Sequence, residues 1–365
     1  MSPDVTILVE RGYPLDGQTP PFEAVRIIDG VVVWAGTARE ARQFVGKTTL
    51  HSLEGAFLIP GLVDTHLHLG LMGRGEDAID LRHTRSTEEL VSVVASQMNG
   101  PWIEGVGWDD SGWTHPLDAQ TLHRRLPDIP IILYRRDHHA AWVSHALLQR
   151  SDALREGRCP PGGQIERGPD GQPSGMLLDA ALTLARDALP PPSPAQRRRW
   201  LERALIRCRE AGLTGVHEIC TPGADLDVLA ALATENRLPV RVATFLHAED
   251  PVNEPRLTQG PTRMPFLDII GAKLFCDGAL GSRGAWLSVP YADQPKTSGL
   301  KLIHGHALQS RVIRYAQAGF AIAVHGIRDA AVDEITDAFE AARAAGVKSP
   351  LRIEHAQIVH PQTVR

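Results

Sequence analysis

The chain has 365 residues, with 38 Lys and Arg against 43 Asp and Glu and a formal net charge of −5. That mild acidity, without a polybasic block, argues against electrostatic binding to nucleic acid or a membrane surface. With 43% hydrophobic and 22% charged residues, and no apolar run near the roughly 18 residues a membrane span needs, disorder, coiled coil and membrane insertion are set aside.

The first residues, Met-Ser-Pro-Asp-Val-Thr-Ile-Leu-Val-Glu, lack the basic and long apolar regions of a secretory signal, so a cytoplasmic protein is expected. Cys159, Cys208, Cys220 and Cys276 form no CxxC pair and read as reduced, partly buried thiols. The 16 histidines exceed what packing needs, and imidazole is the commonest protein ligand for transition metals.

Residues 1–60 predict short β segments at Val5–Glu10, Ala24–Asp29, Val31–Ala35 and Ala56–Ile59, with Asp29-Gly30 as a turn and Pro60-Gly61 at the exit. This layer reads as the N-terminal part of a β-sandwich domain. From residue 61 to 365 the pattern becomes one of strands and amphipathic helices. A first strand at Leu62–Thr65 is followed by an inserted stretch, 70–192. That stretch holds two strand candidates, Trp102–Gly107 and Ile129–Tyr134, a turn-rich segment, Cys159–Gly175, and an exit linker at Pro190-Pro191-Pro192.

A helix at Ala195–Ala211, opened by Ser193-Pro194 and stopped by Gly212, begins a regular series. It continues with strand Leu213–Ile219, helix Leu226–Thr234, and strands Val240–Leu246 and Leu267–Phe275. Helix Ala307–Ala318, strand Phe320–Val324, helix Ala330–Ala345 and strand Leu351–Glu354 complete it. Such alternation predicts a parallel sheet with helices outside it, an α/β fold of the (β/α)8 TIM-barrel type. Including both insertion strands gives eight barrel strands; excluding them gives six. The placement of the candidate site residues favours six.

His66 and His68 lie two apart on one strand and therefore share a face at its C-terminal end. The spacing alone is weak, because 16 histidines in 365 residues give roughly 0.7 chance HxH matches. The apolar strand around the pair strengthens it, whereas His304-Gly305-His306 sits in a Gly-rich loop and reads as incidental. His325 and His355 each end a later strand, at the mouth where barrel active sites form. Lys273 interrupts an apolar strand, and a buried lysine needs a partner or a carbamate. Glu218, at another strand end, reads as a hydrogen-bonding group behind the ligands. Trp108 and Trp113 are candidate pocket walls, with plain core packing as the alternative.

In order, His66, His68, Lys273, His325 and His355 resemble the ligand set of the metal-dependent amidohydrolase superfamily. The runs Lys273-Leu-Phe-Cys-Asp-Gly-Ala-Leu-Gly-Ser-Arg283, Asp137-His-His139-Ala-Ala-Trp142, Gly171-Gln-Pro-Ser-Gly-Met176 and Arg352-Ile-Glu-His-Ala-Gln-Ile-Val359 resemble its branch that includes N-substituted formamide deformylases. The resemblance covers nearly the whole chain. Departures are Ile327-Arg328-Asp329-Ala330, where the family usually has Gly-Asp-Arg, and His138, where it tends to place Gly.

The resemblance implies one or two divalent ions, most simply zinc, held by His66, His68, Lys273 (N6-carboxylated), His325 and His355. It implies a metal-activated water that hydrolyses the C–N bond of a small non-peptide amide, such as an N-substituted formamide. Asp137, His139, Glu218, Asp277 and Arg283 are then substrate or supporting residues. A homo-oligomer is compatible with this reading, and neither nucleic acid nor membrane is a partner. The family's general base, an Asp on the last barrel strand, has no counterpart here, since the chain ends ten residues after His355. The expectation is therefore a C-terminally incomplete barrel of six strands, aggregation-prone and feebly active. The alternatives are a pseudoenzyme that keeps the ligands, or an isomerase or deacetylase-like enzyme on the same barrel.

Overall fold

The computed structural model describes residues 4–364 apart from 99, 116, 137–139, 161–162, 180, 279, 281–283 and 293–294. Three sheets organise it. The first is built from β1 (Val5–Gly12), β2 (Phe22–Ile28), β3 (Val31–Gly36) and β4 (Thr49–Leu58), in the order β3-β2-β1-β4, with the tight turn Asp29-Gly30 joining β2 to β3. β1 to β3 are antiparallel and β4 runs parallel to β1. The expected Ala56–Ile59 segment is the end of a ten-residue strand.

The main sheet contains β5 (Leu62–Leu67), then, after the insertion, β12 (Leu213–Thr221), β13 (Arg241–His247), β15 (Leu267–Phe275), β16 (Ala321–Gly326) and β17 (Leu351–His355). These six pair in parallel in the order β17-β16-β15-β13-β12-β5, with the short β14 (Thr262–Met264) antiparallel on β15. Parallel neighbours need crossovers, and helices Pro194–Glu210, Gly223–Thr234, Gly305–Gln317 and Asp329–Ala344 lie between strands of the series. The first begins with Ser193 and Gln196 in a reciprocal capping box with Pro194 at its start, the cap its sequence predicts.

Strand alternation gives this sheet two unlike faces. Ala272, Leu274, Ile322 and Val324 join helix residues Leu308, Val312, Ile335 and Ala338 in one core. The opposite face carries Lys273, His325, Arg352 and Glu354. The sheet is curled, and one contact measures it. Five strand steps of about 4.8 Å would separate β5 from β17 by about 24 Å in a flat sheet, yet His66 on β5 lies 2.5 Å from Glu354 on β17.

The insertion builds its own sheet, β10-β11-β9-β8-β7-β6. Its strands are β6 (Ile79–Asp80), β7 (Ile103–Trp108), β8 (Ile131–Arg135), β9 (Ala140–Val143), β10 (Gly163–Arg167) and β11 (Pro173–Asp179). Both expected insertion strands therefore lie outside the main sheet. The turn-rich segment is corrected: residues 163–167 and 173–179 form an antiparallel hairpin. Trp108 and Trp113 pack in this sheet's core, donating to the carbonyls of Leu133 and Thr84, as the plain packing alternative has it. Among the described residues, no helix is long and apolar enough to cross a membrane.

Candidate functional site

The C-terminal ends of β5, β16 and β17 bring four imidazoles together, with Lys273 of β15 beside them. Ring centroids are 5.4 Å apart for His66 and His68, 5.1 Å for His66 and His355, and 4.6 Å for His325 and His355. His355 reaches this group through an unusual backbone. Simple alternation would direct it with Ile353 toward the helices, but its φ of 75° and the 44° of Ala356 turn the chain as β17 ends. Non-Gly residues in that region are strained, and such strain concentrates at functional sites.

Lys273 is 1% exposed, with Nζ 4.9 Å from the Phe275 ring centre. Burial pushes its amine down to about 8, and its charge acts on His68, His325 and His355. Burial also pushes down those three imidazoles, His325 to about 4, helped by Lys273 and the neighbouring histidines. At neutral pH these rings are therefore neutral, the form that binds metal.

Two histidines are held by buried carboxylates. His66 Nδ1 bonds Glu354 Oε2 at 2.5 Å, leaving Nε2 uncommitted by this contact. His325 Nε2 lies 3.3 Å from Asp277 Oδ1 and 3.4 Å from the Gly278 carbonyl. Carboxylate–histidine pairs of this kind orient metal-binding imidazoles. Burial pushes the Glu354 carboxyl upward, but His66, Arg352 and Lys273 together hold it below the usual range. Burial raises the Asp277 carboxyl, which accepts backbone N–H groups of Trp286, Ile327 and Arg328. Asp277 thus ties the loops after β15 and β16 together behind His325.

Glu218 is 3% exposed and faces the helix layer with Val216, while His217 on the other face approaches Phe245 and Arg352. Glu218 Oε2 accepts the Leu69 N–H at 2.5 Å, which fixes the chain as it leaves His68. Burial pushes its carboxyl up to about 8. The helix entered there, Leu69–Asp77, packs so tightly on Pro194–Glu210 that a Cβ at Gly73 would meet the Trp200 carbonyl oxygen at 1.9 Å.

Sequence reasoning passed over Glu354, Arg352 and His217. A period-two reading of Arg352-Ile353-Glu354 could have flagged the first two, since both share the concave face. Asp137, His139 and Arg283 lie outside the described residues. His304 meets Trp286 edge to face, and His306 meets Ser310.

The donor set suits a divalent ion: several neutral imidazoles, a buried amine and two supporting carboxylates. The imidazoles are neighbours ring to ring, although among the described residues no three His, Cys, Asp or Glu donors already enclose one point.

A model of the amidohydrolase family matches residues 50–365. The YtcJ protein of Bacillus subtilis (strain 168) is 32% identical over 356 residues, covering 94% of this chain and 66% of its own length. The N-substituted formamide deformylase of Arthrobacter pascens is 24% identical over 384 residues, covering 97% and 69%. A crystal structure of an uncharacterized metal-dependent hydrolase from Pyrococcus furiosus superposes with a TM-score of 0.83 at 28% identity, covering 98% of this chain and 73% of that one. The chain spans about two thirds of the length of the curated relatives it matches.

Proposed function

The chain belongs to the amidohydrolase family, and from that premise we propose that it carries the metal centre of a hydrolase acting on C–N bonds of small non-peptide amides, N-substituted formamides among them. The observation that carries this reading is the convergence of His66, His68, His325 and His355 around buried Lys273 at the ends of parallel strands.

In this reading those five side chains hold one or two zinc ions. A zinc ion so bound supplies an activated water near neutral pH and polarises a carbonyl oxygen. Glu354 and Asp277 hold His66 and His325 in orientation, and Glu218 fixes the backbone beyond His68. An amine with its pKa near 8 keeps a share of Lys273 neutral. That form can attack carbon dioxide, forming an N–C bond and releasing one proton, to give a carbamate ligand.

The fold reading has two further parts. A closed barrel of this type has eight strands, and β5, β12, β13, β15, β16 and β17 supply six of them. The N-terminal sheet is one layer of a β-sandwich, which the exposed Val31, Val33, Leu53 and Phe57 support.

A second reading, a metal-holding chain without hydrolysis, draws support from the carboxylates. Glu354 is already engaged by His66 and Arg352, and Asp277 by three backbone N–H groups. The test loads the 365-residue protein with zinc and follows amine release from N-substituted formamides and other small amides. Release above that of the His66→Ala/His68→Ala variant supports hydrolysis. Stoichiometric zinc without release supports the second reading, and no zinc uptake overturns both.

A further inference from the structure

Arg352 occupies an unusual place for a guanidinium, on the concave face where β5 and β17 approach without backbone pairing. Its Nε donates to Glu354 Oε1 at 2.5 Å, while Oε2 of the same carboxylate takes His66 Nδ1. A second arm, Nη2, donates to the Thr65 carbonyl at 3.3 Å, one residue before His66. Cζ stands 4.9 Å from the Phe245 ring centre, and Nη1 lies 3.5 Å from His217 Nδ1. Gly271 leaves room for the Phe245 ring beneath it, because a Cβ there would meet that ring at 2.1 Å.

We infer that Arg352 is a positioning residue for the metal centre, acting through Glu354 to fix which nitrogen of His66 faces the ligand cluster. The inference rests on the reading of His66 as a metal ligand. One arm immobilises the Glu354 carboxylate, and the other holds the backbone from which His66 projects. The imidazole is thereby clamped at its ring and near its root. A planar guanidinium reaches both acceptors at fixed angles, whereas a lysine ammonium on a flexible stem does not reproduce the fork. Among the described residues its contacts run to Glu354, the Thr65 carbonyl, His217 and Phe245, so its effect on the cluster passes through His66.

The test is zinc affinity of the metal-freed 365-residue protein, measured by competition with a chromophoric chelator, with far-UV circular dichroism as the folding control. Loss of a partner behind a metal-binding histidine costs about 10–100-fold in affinity. Glu354→Gln should fall in that range and Arg352→Gln near its lower end. In the Glu354→Gln background, Arg352→Gln should cost clearly less than in the parent, since only the arm on the Thr65 carbonyl is then left to lose. The visible absorption of the cobalt-loaded protein should shift in Arg352→Gln, a change that general destabilisation does not produce.

Arg352→Gln binding zinc within twofold of the parent, or the same loss with and without Glu354, overturns the inference. If Arg352→Gln fails to fold, Arg352→Lys decides: weakened zinc binding supports the clamp, and parental affinity overturns it. A parent chain that takes up no zinc removes the centre and this inference with it.

Discussion

The main sheet and the insertion sheet obey the same strand geometry and use it differently. In β8 of the insertion, Ile131 and Leu133 enter one apolar core while Ile132 and Tyr134 enter the other. Both faces of that strand bury apolar surface, at about 25 cal/mol per Å². In β15 of the main sheet, Ala272 and Leu274 do the same on the helix side, but the residue between them is Lys273. Its face also carries His325, Arg352 and Glu354, and burial works against the charged forms of Lys273, His325 and Glu354. Apolar burial is thus concentrated in the insertion and on the outer face of the main sheet, and the proposed ligand chemistry on the inner face.

The largest effects should separate along that line. On the proposed assignment of both rings as ligands, His66→Ala/His68→Ala should weaken zinc binding more than about 100-fold, since metal–ligand bonds of about 2 Å are made directly. It should move the denaturation midpoint little. Leu133→Ala, at a fully buried position, should cost about 2–5 kcal/mol in denaturant unfolding while leaving zinc affinity within about twofold. If Leu133→Ala weakened zinc binding as much as it weakened the fold, the two sheets would form one energetic unit and the contrast would fail.

What the sequence made legible follows the same division. β15 has the boundaries its apolar run predicts, Leu267–Phe275; His66, His68, His325 and His355 stand out at strand ends and Lys273 inside an apolar run because those patterns are local. The Glu354–His66 bond spans 288 residues and depends on how far the sheet curls, which no local pattern encodes. The turn of His355 toward the cluster depends on a positive φ at a non-Gly residue, for which the sequence carries no marker. β9 is four residues long and β11 contains Pro173 and Gly175, so both fall beneath the strand signals of run length and composition.

Glu218 sharpens the comparison, because it places a buried acid on the stabilising face. Its carboxyl rises from 4.5 to about 8, with burial the main cause. The folded state therefore favours the protonated form. Its contribution is fully present below about pH 4.5 and is lost as pH rises through about 8. Glu218→Gln keeps an oxygen to accept the Leu69 N–H and has no charge to bury. Metal-free Glu218→Gln should exceed the parent by about 2–3 kcal/mol at pH 8.5 and match it near pH 4.5, discounting the full value of about 1.36 kcal/mol per unit for relaxation. Parallel stability profiles across that window would remove Glu218 as the titrating group.

Lys273 places the converse case on the inner face, and its replacement should show the smallest change in stability. Its amine falls from 10.5 to about 8, again chiefly by burial, with the attraction of Glu354 opposing. For a base with a lowered folded pKa, stability is fully present above about pH 10.5. It declines as pH falls toward about 8, where the amine must charge inside the protein. Lys273→Met keeps a long unbranched side chain and removes that charge. Replacing buried charge by well-packed apolar volume is neutral to stabilising, so the metal-free variant should gain about 1–2 kcal/mol at pH 7 and lose that advantage toward pH 10.5. The loss of the ammonium over the Phe275 ring offsets part of the gain. Metal stoichiometry should move the other way, with fewer zinc equivalents retained than in the parent. A variant that loses stability at pH 7 while keeping its full zinc content would mean that Lys273 serves packing rather than the centre, and the assignment of chemistry to the inner face would lose its most buried member.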